Sequence, residues 1–191
     1  MEIDQYVHST GYWYKNTAGN FHIDCKGVKD WLLGFLREDK TGLIYDLGCG
    51  TGYYLSELSK DGHLKLIGVE ADPLQLKTTF PIHAHNLTKD LPYTEKGIVI
   101  CLEVAEHIPQ RYEQQLIDNM TKLCNGYLIL SWAIPGQMGL GHVNCKDNDY
   151  VIGQIESRGF EYLPEITKQS REYPKDICSY FKDTLLVFKK I

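Results

Sequence analysis

The clearest chemical pattern in the sequence is an aspartate followed by alternating glycines. Asp46 lies in the apolar run that begins at Leu43, and Gly48, Gly50 and Gly52 follow it. Glycine in a tight turn allows a positive φ and lets the backbone come close to a ligand. The spacing differs from G-x-G-x-x-G, which binds a pyrophosphate at a helix N-terminus. The Asp46 carboxylate would repel a phosphate, so the pattern favours a ligand with a cationic amino group; a purely structural turn is the alternative.

A second acid, Glu70, follows the apolar run from Leu64 to Val69. It lies about twenty residues beyond the glycine turn, where nucleotide-binding folds place an acid on a ribose. A carboxylate accepts two parallel hydrogen bonds and therefore matches two adjacent hydroxyls. We expect Glu70, with Ala71 beside it, to bind a ribose diol, and an ordinary surface acid is the alternative.

Apolar runs and helical periods alternate along the chain, which predicts a parallel sheet with helices on both faces. The predicted strands begin at Leu43 and continue with 64–69, 81–85, 97–102, 127–132, 160–163 and 184–189. The predicted helices are 24–36, 53–60, 74–80, 112–123 and 149–158, the fourth of which is expected to stop at Asn125-Gly126. No strong helix is predicted between the last two strands, which indicates an antiparallel hairpin at one edge of the sheet.

The stretch DLGCGTG after an apolar run, with an acid at the end of the next run, resembles the cofactor motifs of class I S-adenosylmethionine-dependent methyltransferases. The resemblance implies an α/β fold: a Rossmann-like, seven-stranded, mostly parallel sheet with an antiparallel last strand and helices on both faces. Residues 24–191 would form this single domain. Residues 1–23, which are rich in aromatic side chains, would form an N-terminal arm or a flap over the site.

The same resemblance implies S-adenosylmethionine (SAM) as the cofactor and S-adenosylhomocysteine (SAH) as the product. Asp46 and the glycine turn, together with Glu70 and Ala71, would hold its amino-acid and ribose parts. In the family, the adenine meets a polar side chain in the loop after the third strand, and Asn86 fits this role, with the apolar Leu87 beside it. Glu103, directly after the fourth strand, is expected to contact the cofactor or to brace the loop.

Two histidines are candidates for the base that takes up a proton when an alcohol is methylated. His107 lies in the loop after the fourth strand, where the family often carries Glu-His-Ile as a structural brace. His142 lies in a glycine-rich loop after the fifth strand, where an incidental histidine is the alternative. With Glu103 and Glu106 these histidines would offer a site for Mg²⁺, but such ions prefer several oxygen ligands. We therefore expect a metal-independent enzyme.

A less specific resemblance concerns the acceptor. The stretch 132–144 (WAIPGQMGLGHVN), the N-terminal GYWY and a late arginine followed by Tyr180-Phe181 look like those of small methyltransferases of large DNA viruses, phages and bacteria. Some of these enzymes modify glycans, which implies a sugar hydroxyl or another small molecule as the acceptor, and a place in a larger multidomain glycan-modifying polypeptide. The side chains expected to contact the acceptor are Tyr12, Trp13, Trp132, Gln137, Asn144 and Arg171.

Composition narrows the partners and the compartment. The 191-residue chain has a net charge of −5 and no cluster of Lys and Arg, which argues against nucleic acid and anionic membranes as partners. The fourth strand also lacks the Asn/Asp-Pro-Pro-aromatic motif of enzymes that methylate base amines. Scattered cysteines, no leader and no apolar run of bilayer length predict a cytoplasmic protein. A non-catalytic SAM-binding module and a protein or RNA methyltransferase are alternatives, and a nicotinamide-dependent oxidoreductase is less favoured.

Overall fold

The computed structural model describes residues 7–14, 22–37, 42–72 and 80–191, in which seven strands form one sheet. The strands are β1 Leu43–Leu47, β2 Lys65–Glu70, β3 Ile82–Ala84, β4 Gly97–Cys101, β5 Cys124–Ser131, β6 Phe160–Tyr162 and β7 Leu185–Lys190. Their order across the sheet is β3-β2-β1-β4-β5-β7-β6. β7 runs antiparallel to both of its neighbours, and the other pairs are parallel. The predicted mostly parallel sheet with an antiparallel last strand is confirmed.

Helices cover both faces of the sheet. They are α1 Lys26–Leu36, α2 Tyr53–Leu58, α3 Glu113–Leu123, α4 Asn148–Glu156, α5 Pro164–Ser170 and α6 Phe181–Thr184. Because side chains alternate along a strand, Ile44 of β1 packs in one core cluster with α1, whereas Tyr45 packs in the other with α3 and α4. β1 and β4 are buried along their whole length, as expected for central parallel strands. Among the described helices, none is long and apolar enough to cross a bilayer.

Some elements differ from the sequence prediction. The first helix begins at Lys26 rather than Asp24. β5 begins at Cys124, directly after α3, because Cys124 already pairs with Gly97 of β4. Asn125-Gly126 therefore lies inside a strand, and the prediction that it ends the helix was wrong. α5 lies between the last two strands, where no strong helix is predicted. The predicted helix 74–80 lies outside the described residues except for its last position.

The strand order places a cleft at one edge of the sheet. β2 and β3 lie on one side of β1, and β4 lies on the other, so the loops after β1 and β4 leave in opposite directions. Ligands bind at such switch points in open α/β sheets. The N-terminal segment 7–14 lies at this edge, where Val7 forms an isolated bridge with Trp13. The other parts of the predicted arm, 1–6 and 15–21, lie outside the described residues.

Candidate functional site

A cleft of about 410 Å³ opens at the carboxyl ends of β1, β2 and β4. It brings together most of the side chains that the sequence singles out. From the predicted cofactor set, it is lined by Asp46, Gly48, Gly50, Glu70, Ala71, Asn86, Leu87 and Glu103. From the predicted acceptor and catalytic sets, it is lined by Tyr12, Trp13, His107, Gln137 and His142. The two groups of predicted residues therefore share one cleft.

The turn after β1 favours glycine at two positions. Gly48 and Gly50 have φ values of 78° and 53°, which residues with a Cβ rarely adopt. A Cβ on Gly48 would lie 2.4 Å from Cγ2 of Val104, and one on Gly50 would lie 2.1 Å from Cε1 of His22. Gly52 also has a positive φ, but it precedes α2 and does not line the cleft. The backbone at residues 48–50 thus forms one wall of the cleft.

Asp46 lies in the wall of the cleft, with one carboxyl oxygen left without a partner in the described part of the chain. The side chain is buried, and among the described residues its Oδ2 has no hydrogen-bond partner. Burial, reinforced by the Glu70 carboxylate and opposed by His22, raises the pKa of Asp46 to about 7. A ligand that brings positive charge or hydrogen-bond donors would offset the cost of burying this carboxylate.

Glu70 ties the end of β2 to the glycine turn. Its Oε2 accepts a hydrogen bond from the Gly50 N–H at 3.1 Å, and its Oε1 accepts one from the Ala71 N–H at 2.8 Å. Burial raises the pKa of Glu70, although these two N–H groups and His22 act in the opposite direction. Each carboxylate oxygen has two lone pairs, so Glu70 keeps acceptor capacity for a diol.

Asn86, in the loop after β3, holds two parts of the chain together. Its Nδ2 donates a hydrogen bond to Oγ1 of Thr10 at 2.9 Å. Its Oδ1 accepts hydrogen bonds from the backbone N–H and the hydroxyl of Thr88, each at 2.9 Å. Leu87 beside it is buried. This loop therefore offers an apolar wall and fastens the N-terminal segment to the cleft.

Glu103, directly after β4, has an unusual backbone conformation. Its φ is 54°, and no other non-glycine residue in the described part of the chain has a positive φ. Its carboxyl accepts hydrogen bonds from Oγ of Ser131 at 2.8 Å and from Nε2 of Gln137 at 3.1 Å. Burial raises the pKa of Glu103, and these bonds oppose the rise. Backbone strain of this kind is concentrated at functional sites, in agreement with a side chain that lines the cleft.

One acid and two histidines lie close together, and we call Glu106, His107 and His142 the Glu-His-His cluster. One potential ligand atom from each residue lies within 4.8 Å of the other two. Burial, with His142 second, lowers the pKa of His107 to about 4, and burial also lowers the pKa of His142. Burial and the nearby Glu103 carboxyl raise the pKa of Glu106 well above its ordinary range. Because the pKa of each histidine lies below its ordinary value of 6.5, both imidazole rings are neutral at pH 7.

Three residues predicted to contact the acceptor do not line the cleft. Trp132 is buried in the core, and its Nε1 donates to the backbone carbonyl of Asn144 at 2.6 Å. Asn144 is also buried and donates from Nδ2 to Oε2 of Glu113 at 3.0 Å. Nε of Arg171 donates to the backbone carbonyl of Leu185 at 2.8 Å. These side chains hold loops in place, and their positions do not support the predicted contact with an acceptor.

The cleft also contains side chains that the sequence did not assign to it. His22 lies against Gly50, and its Nε2 is 3.3 Å from Oδ1 of Asp24. Tyr180 and Phe181 reach the cleft from the segment before β7. In the sequence, Tyr180 and Phe181 are noted only for their resemblance to small methyltransferases. His22 belongs to no motif with a recognisable spacing. Folding alone brings these distant segments together, so their place in the site is not visible in local patterns.

Comparisons of the sequence with protein-family models and with curated proteins give no match. Comparison of the structure with solved structures gives several matches. The sugar N-methyltransferase KedS8 from a Streptoalloteichus species matches over 97% of this chain and 95% of its own, with a TM-score of 0.66 and 16% identity. The magnesium protoporphyrin IX methyltransferase of Synechocystis, solved with bound SAM, matches over 93% and 79%, with a TM-score of 0.60 and 17% identity.

The [4+2]-cyclase SpnF also matches, over 97% of this chain and 85% of its own, with a TM-score of 0.60 and 14% identity. A cyclase among these matches means that the fold does not fix the reaction, which has to be argued from the site. At such identities the likeness concerns the fold alone: the chain has the fold of the class I methyltransferases.

Proposed function

We propose that the protein is a SAM-dependent methyltransferase that transfers a methyl group to a hydroxyl of a sugar, a glycan or another small acceptor. The assignment of SAM rests on how well the glycine turn and the two acids match its chemical groups. The assignment of the acceptor rests on the side chains at the opposite side of the same cleft.

The proposal is carried by the buried Asp46 oxygen beside the glycine turn, which has no hydrogen-bond partner among the described residues. SAM has an ammonium group and a cationic sulfonium at its amino-acid end, and a buried carboxylate is stabilised by such charge. Glu70 keeps lone pairs for the two ribose hydroxyls. Asn86 and Leu87 line the part of the cleft assigned to the adenine. The residues present therefore fit the cofactor.

The chemistry expected of the protein follows from the reaction. SAM, when bound, supplies a methyl group activated by its sulfonium. The chain has to hold the acceptor hydroxyl in line with that methyl group and activate it. His107 and His142 supply neutral imidazole nitrogens for this purpose, and Gln137 supplies an amide next to Glu103.

A sugar-sized acceptor is supported by aromatic and polar side chains that face the same space. Tyr12 and Trp13 offer aromatic rings, while Gln137 and His142 offer polar atoms. Small-molecule sites commonly combine an apolar lining with a few polar groups. The structural neighbour KedS8 acts on a sugar, although on nitrogen. The net charge of −5 gives no general attraction for nucleic acid phosphates.

All six cysteines are free, and five of them are buried. Free thiols persist in reducing compartments. We therefore extend the proposal to a cytoplasmic enzyme, working alone or within a larger multidomain glycan-modifying polypeptide.

Calorimetric titration with SAH tests the cofactor part of the proposal. Glu70→Gln keeps the shape of the side chain and removes its charge. We expect it to weaken SAH binding about tenfold or more, because a hydrogen bond to a charged group contributes about 1.5–3 kcal/mol. Glu95→Gln, at an exposed residue paired with Lys65, should bind SAH like the wild type. A folded wild-type protein that shows no SAH binding would overturn the proposal.

Mass spectrometry of sugars incubated with SAM that carries a deuterated methyl group tests the acceptor part. A labelled methyl group on a sugar oxygen is the expected result. Label on nitrogen alone would exclude O-methylation and leave the cofactor assignment intact. Binding of SAH without labelled product from any acceptor would favour the non-catalytic module instead.

A further inference from the structure

We propose that the Glu-His-His cluster, Glu106, His107 and His142, binds a divalent transition-metal ion that in turn holds the acceptor hydroxyl that is methylated. From the sequence, these residues and Glu103 would offer a site for Mg²⁺, but we expected a metal-independent enzyme because such ions prefer several oxygen ligands. The proposal that an ion binds is argued from the geometry of the cluster alone. The role of the ion in methyl transfer rests on the proposed function.

The first argument is the spacing of the ligand atoms. One atom from each of the three side chains lies within 4.8 Å of the other two, and Nε2 of His142 lies 4.0 Å from Oε1 of Glu106. A bound Zn²⁺ lies about 2.0–2.2 Å from nitrogen and oxygen ligands, which places tetrahedral ligands about 3.4 Å apart. Each side chain would move by less than about 1 Å to reach that geometry.

The second argument is the orientation of the imidazole rings. Nδ1 of His107 lies 3.2 Å from the carbonyl oxygen of Gly141, and Nδ1 of His142 lies 3.2 Å from that of Gln137. A carbonyl oxygen can only accept, so Nδ1 carries the proton in both rings and Nε2 carries a lone pair. Metal-binding histidines are oriented in this way by a hydrogen bond at the other ring nitrogen. Trp13 packs edge to face on His107, with ring centroids 5.0 Å apart.

The third argument is the state of the acid. Glu106 is fully buried, and among the described residues neither of its carboxyl oxygens has a hydrogen-bond partner. The backbone N–H groups of Glu106 and Ala133 and the carboxyl of Glu103 are near enough to affect the Glu106 carboxyl, but none of them has the geometry of a hydrogen bond to it. A buried carboxyl group without a hydrogen-bond partner is unfavourable, whether it is neutral or charged. A cation bound by Glu106 and the two histidines supplies the missing partner.

The cluster is also held together by the backbone. The carbonyl oxygen of Glu106 accepts hydrogen bonds from the N–H groups of Val143 at 2.9 Å and Asn144 at 3.0 Å. These bonds join the loop after β4, which carries two of the ligands, to the loop after β5, which carries His142. The three ligands therefore have a common and fixed support, as a preorganised metal site requires.

The ligand set selects the kind of ion. Two imidazoles and one carboxylate suit Mn²⁺, Co²⁺ and Zn²⁺ better than Mg²⁺ or Ca²⁺, which prefer oxygen ligands. Three protein ligands leave positions open toward the cleft, which His107 and His142 line. A hydroxyl bound to such an ion loses its proton more easily. The proton passes to water, the oxygen bonds to the methyl carbon, and the electron pair of the broken S–CH₃ bond stays on sulfur, which yields SAH.

Titration of chelator-treated protein with Co²⁺, followed by visible absorption, tests the site directly. We expect the wild type to bind one Co²⁺ per chain, with Zn²⁺ and Mn²⁺ competing. His142→Ala and Glu106→Gln should bind Co²⁺ about 100-fold more weakly. Glu106→Gln preserves the side-chain volume, so it tests the site even if His142→Ala folds poorly. His83→Ala, at an exposed histidine on β3, is the matched control and should bind like the wild type.

SAH titration and circular dichroism of the same samples separate this proposal from the proposed function. No Co²⁺ uptake by a folded, SAH-binding wild type, or equal uptake by the wild type and both variants, would overturn the metal site. A folded wild type that takes up Co²⁺ but does not bind SAH would overturn the proposed function and leave the metal site intact. Once an acceptor is known, turnover that is undiminished by a chelator would overturn the role of the ion in transfer.

Discussion

Asp46 is under two opposing demands, because its burial costs stability while its position in the cleft suits a cation. An acid whose pKa is raised in the folded state contributes stability at low pH that is lost as the pH rises through the folded-state pKa. For Asp46 this window runs from its ordinary value of 3.8 to about 7. The free protein therefore carries a penalty at neutral and higher pH that a cationic ligand would relieve.

We expect Asp46→Asn to stabilise the free protein above pH 7 and to weaken SAH binding. Relative to the wild type, the gain in the free energy of unfolding should grow across the window from 3.8 to about 7 and reach a few kcal/mol at most. SAH affinity should fall about tenfold, since the ammonium group loses a charged partner. Urea unfolding at several pH values and calorimetry measure the two effects.

The control for this prediction is Asp118→Asn, which changes a half-exposed acid that contacts Arg158 on the protein surface. It should leave SAH affinity unchanged and show no comparable gain in stability above pH 7. Wild-type affinity for SAH should itself decline as the pH falls below about 7, because protonated Asp46 carries no charge. Unaltered SAH binding by Asp46→Asn would contradict the assigned role.

At the scale of elements, α1 offers a comparison of two glycines within one helix. A Cβ on Gly27 would lie 2.1 Å from the backbone oxygen of Tyr173, whereas one on Gly34 would meet no atom within 4 Å. The start of α1 is therefore packed tightly against the segment between α5 and α6. Near the other end of the same helix, Gly34 faces open space.

We expect Gly27→Ala to lower the free energy of unfolding by about 1–3 kcal/mol, because a backbone atom cannot yield as a side chain can. Gly34→Ala should raise it by up to about 1 kcal/mol, since alanine favours a helix more than glycine does. Urea unfolding of both variants measures the difference. Equal effects at the two positions would show that α1 does not pack closely on the segment that contains Tyr173.

The elements that were predictable from the sequence are those with a continuous apolar signal. β1 and β4 are buried throughout, so their runs of apolar residues stand out. α5 has no such signal, because its sequence PEITKQS contains one large apolar residue. It is fastened to β7 by a polar contact: Oγ1 of Thr167 accepts a hydrogen bond from the Val187 N–H at 3.0 Å.

The candidate site also contains residues that were predictable from the sequence and residues that were not. Asp46 and Glu70 were predictable as site residues because they lie at the ends of apolar runs, and the ends of parallel strands share one edge of the sheet. The direction of a side chain in the long loop after β5 depends on tertiary contacts instead, such as the bond between Asn144 and Glu113. The burial of Glu106 was equally invisible, since an acid next to a histidine in a loop is ordinarily exposed.

At the scale of the whole molecule, the cleft joins a rigid sheet to a segment that lies outside the core. Neither core cluster includes a side chain from residues 7–14. This segment is held by hydrogen bonds, in which Nη2 of Arg111 donates to the carbonyl of Ser9 at 2.7 Å and Nδ2 of Asn86 donates to Thr10. Burial of Val7 and the contact of Trp13 with His107 add local packing. Its opening should therefore require much less free energy than global unfolding.

We expect Thr10→Val to affect binding and local opening more than global stability. The valine keeps the volume of the side chain but removes the acceptor for Asn86, so SAH should dissociate several-fold faster and proteolytic cleavage near residues 7–14 should increase. The free energy of unfolding in urea should change by less than about 0.5 kcal/mol. Ser9→Ala, which keeps the carbonyl bound by Arg111, is the control. A loss of global stability that matched the loss of binding would mean that the segment folds with the sheet as one cooperative unit, because only then would opening the cleft require unfolding the core.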